Sequence, residues 1–218
     1  MLFANNLNFR YGPGGFRIEN VSLEIEKGYV YALLGENGAG KTTLLKLLYG
    51  ALKPRSGQVL WKDNRVCQRM LAAYHREAAY VGMPWCIPSV STADNVDILK
   101  SLYPAFDEEY WEVLLKRADM FYSVKDVPYG TLSTGEACKI SILFCLARHP
   151  ELLILDEPLA NLDPVFKTEI MDILRDAVAT DGLTVLMSTN LIDEISGLAD
   201  YYGIIQNGSL VMWGENTL

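Results

Sequence analysis

These 218 residues predict an α/β domain with an antiparallel β portion near the start and a helical insertion in the second half. Three observations predict it. Residues 29–34 (YVYALL) form a short β-rich apolar run that leads through the glycine-rich stretch 35–40 into the helical apolar spacing of 41–52. From about residue 91 to 148 the texture turns helical. Strand and helix then alternate again to the end, as in an open α/β sheet. Residues 1–218 read as one domain, with an α/β core over about 1–90 and 149–218 and a helical subdomain over 91–148.

Each element follows in order. Residues 2–9 and 16–25 alternate apolar and polar positions, the pattern of strands with one wet face, and Gly12-Pro13-Gly14-Gly15 turns the chain between them. The run 29–34 is apolar throughout, as a strand buried on both faces must be. Residues 94–103, 107–118 and 135–148 have helical spacing. A strand at 152–155, a helix at 164–179, a strand at 183–188 and a short helix from Leu191 resume the alternation. Strands at 201–206 and 209–213 are joined by Asn207-Gly208, two residues that accept the positive φ angles of a tight hairpin. No internal repeat, low-complexity segment or Pro/Ser-rich linker interrupts the chain.

Composition narrows the function. With 19 Lys+Arg against 27 Asp+Glu the formal charge is -8, which disfavours a long phosphate backbone as partner but leaves room for one local anion site. Nucleic acid is therefore not an expected partner. Half the residues are hydrophobic and 21% charged, the balance of a packed core. No apolar run approaches the roughly 18 residues that span a bilayer, so direct membrane insertion is not expected. The opening MLFANNLNFR lacks the charged-then-apolar order of a signal peptide. Cys67, Cys86, Cys138 and Cys145 form no CxxC pair and no metal spacing, and read as small hydrophobes in a reducing, cytosolic compartment.

Two motifs carry chemistry. In Gly35-x4-Gly40-Lys41-Thr42 the glycines let successive backbone N–H groups face a polyphosphate at the positive end of the next helix. Lys41 would reach the β- and γ-phosphates and the Thr42 hydroxyl would ligate Mg2+. The apolar run 152–155 ends in Asp156 and Glu157, which places two carboxylates at the carboxyl end of a buried strand, where open α/β sheets bind ligands. Asp156 suits the Mg2+ shell, and Glu157 a water-polarising role.

With these motifs the chain resembles the nucleotide-binding subunit of an ABC transporter over nearly all its length, which implies a P-loop NTPase core. Leu132-Ser133-Thr134-Gly135-Glu136 stands where that family has LSGGQ, altered at two of five places. The resemblance implies that Gly35, Glu36, Asn37, Gly38, Ala39, Gly40, Lys41, Thr42 and Thr43 hold ATP. It also implies that Ser133, Gly135 and Glu136 close over the γ-phosphate held by a second ATP-binding subunit. Leu162-Asp163 matches the loop that crosses that dimer interface, and Tyr11 falls where an aromatic stacks on adenine.

Two positions depart from the pattern. The histidine expected after the strand at 183–188 is Asn190, which donates a hydrogen bond but cannot become a cation or carry a proton. The glutamine expected near residues 80–88 aligns with Gly82 or with Met83, depending on the anchor; Gln58 and Gln68 are the substitutes nearby in sequence. These departures predict firm MgATP binding with slow hydrolysis, as in an asymmetric heterodimer with one better site; a homodimer stays open, as does ordinary activity with Asn190 and a backbone or water ligand sufficing.

Tyr103-Pro104-Ala105-Phe106-Asp107-Glu108-Glu109-Tyr110-Trp111 and the following 114–117 are similar to ATPase subunits of ABC-2-type exporters, including bacterial systems that export peptides or peptide antibiotics. That implies a separate transmembrane permease, a place on the inner face of the cell membrane, and export; the end of the chain soon after the last hairpin points the same way. Trp85, Ile87 and Pro88 fit either an apolar dock for a permease helix or the core. Two other classes fit the sequence less well. A DNA-repair type of ABC ATPase needs a long coiled coil, and residues 91–148 lack sustained heptads. An ATP-sensing regulatory module would have no need of Glu157.

Overall fold

The computed structural model describes residues 1–82, 86–121, 126–160, 162, 164–190 and 197–216. Two sheets organise it. Strands β1 (Leu2–Arg10) and β2 (Arg17–Ile25) pair antiparallel, and β4 (Ser56–Trp61) and β5 (Asn64–Arg65) extend them into a sheet of order β2-β1-β4-β5. The second sheet contains β3 (Val30–Leu34), β6 (Ala78–Val81), β7 (Leu152–Asp156), β8 (Thr184–Thr189), β9 (Tyr201–Gln206) and β10 (Ser209–Glu215), in the order β10-β9-β3-β8-β7-β6. Its pairs are parallel except for the β9–β10 hairpin. Asn207 and Gly208 turn that hairpin at φ 48 and 81, the positive values their sequence predicts.

Side-chain parity divides the core in two. On β3, Val30, Ala32 and Leu34 face one apolar cluster while Tyr31 and Leu33 face the other; Leu153 and Leu155 oppose Leu152 and Ile154 on β7 in the same way. The first face is covered by α4 (Glu108–Arg117), α5 (Thr134–Leu146) and α6 (Pro164–Asp181). The second is covered by α1 (Lys41–Leu48), which lies between the two sheets with Leu44, Leu45, Leu47 and Leu48 all buried. Both faces of the parallel sheet are thus dry, as the uninterrupted apolar runs require.

The helices begin where the sequence supplies caps. Ser91 accepts from the Asp94 N–H and starts α3 (Thr92–Lys100) two residues before the expected 94. Asp107 accepts from the Tyr110 N–H at the start of α4, and Ser133 from the Glu136 N–H at the start of α5. At the other end, α1 stops four residues short of 52, before Gly50 at φ 79. Residues 53–77 carry β4, β5 and the seven-residue α2 (Leu71–Glu77), none of which the sequence pattern announces. The helix expected from Leu191 lies outside the described residues.

Candidate nucleotide site

Register places the candidate site. Leu34 at the end of β3 pairs with Thr189 at the end of β8, and Ser188 pairs with Asp156 at the end of β7. The loops that leave these strands therefore open at one level: the glycine-rich loop at Gly35, the acid at Glu157 and Asn190. Parity then selects the side. Tyr80, Asp156 and Ser188 share the sheet face that α1 covers, so their side chains meet the start of α1 rather than the helical insertion.

The loop 35–40 folds around Lys41. Its ammonium group, only 4% exposed, donates to the Gly35 carbonyl at 2.7 Å and the Glu36 carbonyl at 3.2 Å, and pairs with Glu157 Oε1 at 3.1 Å. Gly38 and Gly40 sit at φ 84 and 114, and a Cβ on Gly40 would fall 2.7 Å from the Phe16 ring. No side chain caps the N-terminus of α1, so its first N–H groups face the cleft, where the helix dipole favours an anion. The Ala39 amide closes on the Glu36 carbonyl at 3.1 Å, and the Ala39 carbonyl accepts from Gly208 at 2.9 Å, which ties the loop to the last hairpin.

Asp156 is held by three hydroxyls. Thr42 Oγ1 and Ser188 Oγ donate to its Oδ1 at 3.0 and 2.9 Å, and the Tyr80 phenol donates to its Oδ2 at 3.0 Å. Burial first, and then the Asp156 charge, push the Tyr80 phenol far above its ordinary value, so it stays protonated and donates. Ser188 Oγ also accepts from the Glu157 N–H at 2.9 Å and so helps fix Glu157, whose φ of 49 lies in the left-handed region.

An open cleft runs along the loop, lined by Asn37, Gly38, Gly40, Lys41, Thr42, Thr43 and Glu157 with Tyr11 and Phe16 at its rim. Tyr11 is 45% exposed and packs edge-on against Phe9 at 4.8 Å, which leaves a ring face available at the mouth. The Thr42 hydroxyl and Glu157 carboxylate line this cleft, and the Asp156 carboxylate, bonded to Thr42, adjoins it; all three supply hard oxygen ligands. They fit Mg2+, which takes one or two protein oxygens and completes its shell with water and phosphate.

Ser133, Gly135 and Glu136 lie elsewhere, at the start of α5, where Ser133 and Glu136 bond to each other. Glu136 Oε2 accepts from the Ser133 N–H at 2.8 Å and the Ser133 hydroxyl at 2.7 Å, a reciprocal capping box. A Cβ on Gly135 would sit 3.1 Å from Leu162 Cδ2. Asn190 is exposed at the end of β8. Asp163, Met83 and Trp85 lie outside the described residues. Gln58 is in β4, paired with Asn5 in the other sheet, and Gln68 is exposed before α2. The sequence reading missed Tyr80, Ser188 and Phe16: strand pairing brings the first two to Asp156, and Phe16 lies against Gly40.

Residues 18–160 match the family described as ABC transporter. The chain belongs to the ABC transporter family. It is 30% identical over 215 residues, 99% of this chain and 91% of the relative, to the lantibiotic transport ATP-binding protein SrtF of Streptococcus pyogenes. It is 28% identical to the bacitracin transport ATP-binding protein BcrA of Bacillus licheniformis, over 89% of this chain and 63% of that one. Among solved structures it superposes on an ATP-binding subunit of an ABC transporter with TM-score 0.87 at 24% identity, covering 99% of this chain and 90% of that one. The cbiO1 subunit of Clostridium perfringens, part of an ABC transporter complex, gives TM-score 0.79 at 28% identity, covering 98% and 88%. As an ABC-transporter ATP-binding subunit with a P-loop NTPase fold, the chain has its glycine-rich loop, acid pair and β-hairpin within one framework. No helix among the described residues is long and apolar enough to cross a membrane.

Proposed function

We propose that this ABC ATPase powers a membrane exporter, coupling MgATP binding, closure onto a second ATP-binding subunit and slow hydrolysis to transport by a separate permease. The observation that carries the reading is the Lys41–Glu157 contact at 3.1 Å, because it puts a phosphate-binding cation and a water-polarising acid in one crevice. Lys41 exchanges the Gly35 and Glu36 carbonyls for the β- and γ-phosphates, and the α1 amides take the remaining phosphate charge. Glu157, released from Lys41, accepts a proton from the attacking water. Thr42 and Asp156 hold Mg2+, which when bound neutralises phosphate charge. Tyr11 stacks on the base. Ser133 and Gly135 of the opposing subunit, together with Asp163 at the interface, complete the enclosure, with Glu136 beside the incoming γ-phosphate.

Asn190 supplies an amide donor but no proton carrier, and the loss of one such transition-state contact costs about 2.7–4 kcal/mol, or about 10²–10³ in rate. A heterodimer with one stronger site suits this. The names of the lantibiotic and bacitracin transport relatives support a peptide-type cargo; outward movement, from the cytoplasmic face of the membrane, is part of the same proposal. The test is purification of the chain from native membranes, followed by peptide uptake into inverted vesicles. A multispanning protein should copurify, and uptake should need ATP. ATP-independent uptake, or a chain found free of any membrane partner, would sink the proposal.

A further inference from the structure

Tyr80 and Gly82 form a pair around Asp156 that no motif announces. Strand β6 lies beside β7, and its register sets Tyr80 against Ile154, so the phenol projects along the sheet face toward Asp156 two residues on. It donates to Oδ2 at 3.0 Å, the oxygen that Thr42 and Ser188 leave to it. Gly82 makes the approach possible. A Cβ there would fall 2.7 Å from Asp156 Cβ and 3.1 Å from the Tyr80 phenolic oxygen, and its φ of 153 favours glycine. The Tyr49 ring, 5.3 Å from the Tyr80 ring, backs the phenol from the other side.

We propose that Tyr80, admitted by the bare backbone at Gly82, is a positioning residue for the divalent-cation site and fixes the orientation of the Asp156 carboxylate. The inference rests on the reading of the cleft as an MgATP site. Without the phenol, Oδ2 loses its protein donor and the carboxylate swings about its Cβ–Cγ bond; with it, three hydroxyls leave one orientation, with Oδ1 toward Thr42. Outer groups that orient a ligating carboxylate typically set metal affinity by about 10–100-fold. Tyr80 contributes one of three such bonds, so the lower end applies.

The test uses the full chain with a nonhydrolysable ATP analogue and Mn2+, with free Mn2+ read by its paramagnetic resonance signal. Tyr80→Phe keeps the ring against Tyr49 and removes only the donor. Its Mn2+ midpoint should rise about tenfold, while its affinity for the analogue in EDTA stays that of the wild type. A purely structural role would shift both or neither. An Mn2+ midpoint within twofold of wild type, or an equal loss of metal-free nucleotide affinity, would overturn the assignment. Lys41→Ala separates the two readings: wild-type binding no better than this variant would overturn the nucleotide site itself and this inference with it.

Discussion

Lys139 is 1% exposed, and its ammonium group relies on three neighbours: the Glu169 carboxylate, the Ala118 carbonyl at 3.3 Å and the face of the Phe166 ring at 3.8 Å. The Glu169 side chain is 35% exposed, so the two ends of the ion pair are not equivalent. Removing one partner of a fully buried pair costs about 3–5 kcal/mol because the other charge is stranded. Here Glu169→Gln leaves a carbonyl oxygen in place and water can reach it, which lowers the expected cost to about 2–3 kcal/mol. For a chain of this size each kcal/mol moves Tm by about 2–4 °C, so a fall of roughly 4–12 °C follows. Lys139→Met, in contrast, removes the buried charge, keeps most of the volume and leaves Glu169 wet, for about 1 kcal/mol or less. Urea unfolding followed by circular dichroism measures both. A Glu169→Gln stability within about 0.5 kcal/mol of wild type, the usual size of a neutral surface change, or a Lys139→Met cost above that of Glu169→Gln, would contradict a stranded charge at Lys139.

Three further outcomes are expected. The Ser133 hydroxyl, and then its backbone N–H, hold the Glu136 carboxyl below its ordinary value of 4.5; the stability this brings is complete above that value and is lost as pH falls through the folded one. Glu136→Gln should therefore flatten the decline of the urea midpoint below about pH 5, and an unchanged decline would contradict the capping box. Burial raises the Cys86 thiol to about 12 and those of Cys138 and Cys145 to about 11. Alkylation of the native chain near pH 8 followed by mass spectrometry should accordingly find Cys67 modified first. Lys41→Ala should weaken ATP binding by at least about tenfold, the value of one hydrogen bond to a charged group, as read by calorimetry.

The strand–loop–helix at 29–52 was legible because each part has a strong local signature: an apolar run, glycines that reach φ 84 and 114, then helical spacing. Asn207-Gly208 was legible for the same reason. The segment 53–77 was not. Strand β4 pairs with β1 across register shifts, and Asn6 at φ 48 and Gly57 at φ 80 meet there, so the apolar-polar alternation that marks a wet-faced strand is broken. Helix α2, at seven residues, is too short to show a period. Tyr80 was invisible for a different reason. Its hydrogen bond joins residues 76 apart, and only the pairing of β6 with β7 brings them together.

The most direct test is MgATP binding and steady-state turnover of the purified chain beside Asn190→His and Glu157→Gln. Firm binding is expected in all three, with wild-type turnover well below about 1 s⁻¹, the low end of ordinary enzymes, a faster Asn190→His and no turnover in Glu157→Gln. Wild-type turnover at or above that rate, or no gain from histidine at 190, would contradict a slow site. Absent binding would contradict the crevice between Lys41 and Glu157 as the place where ATP is held.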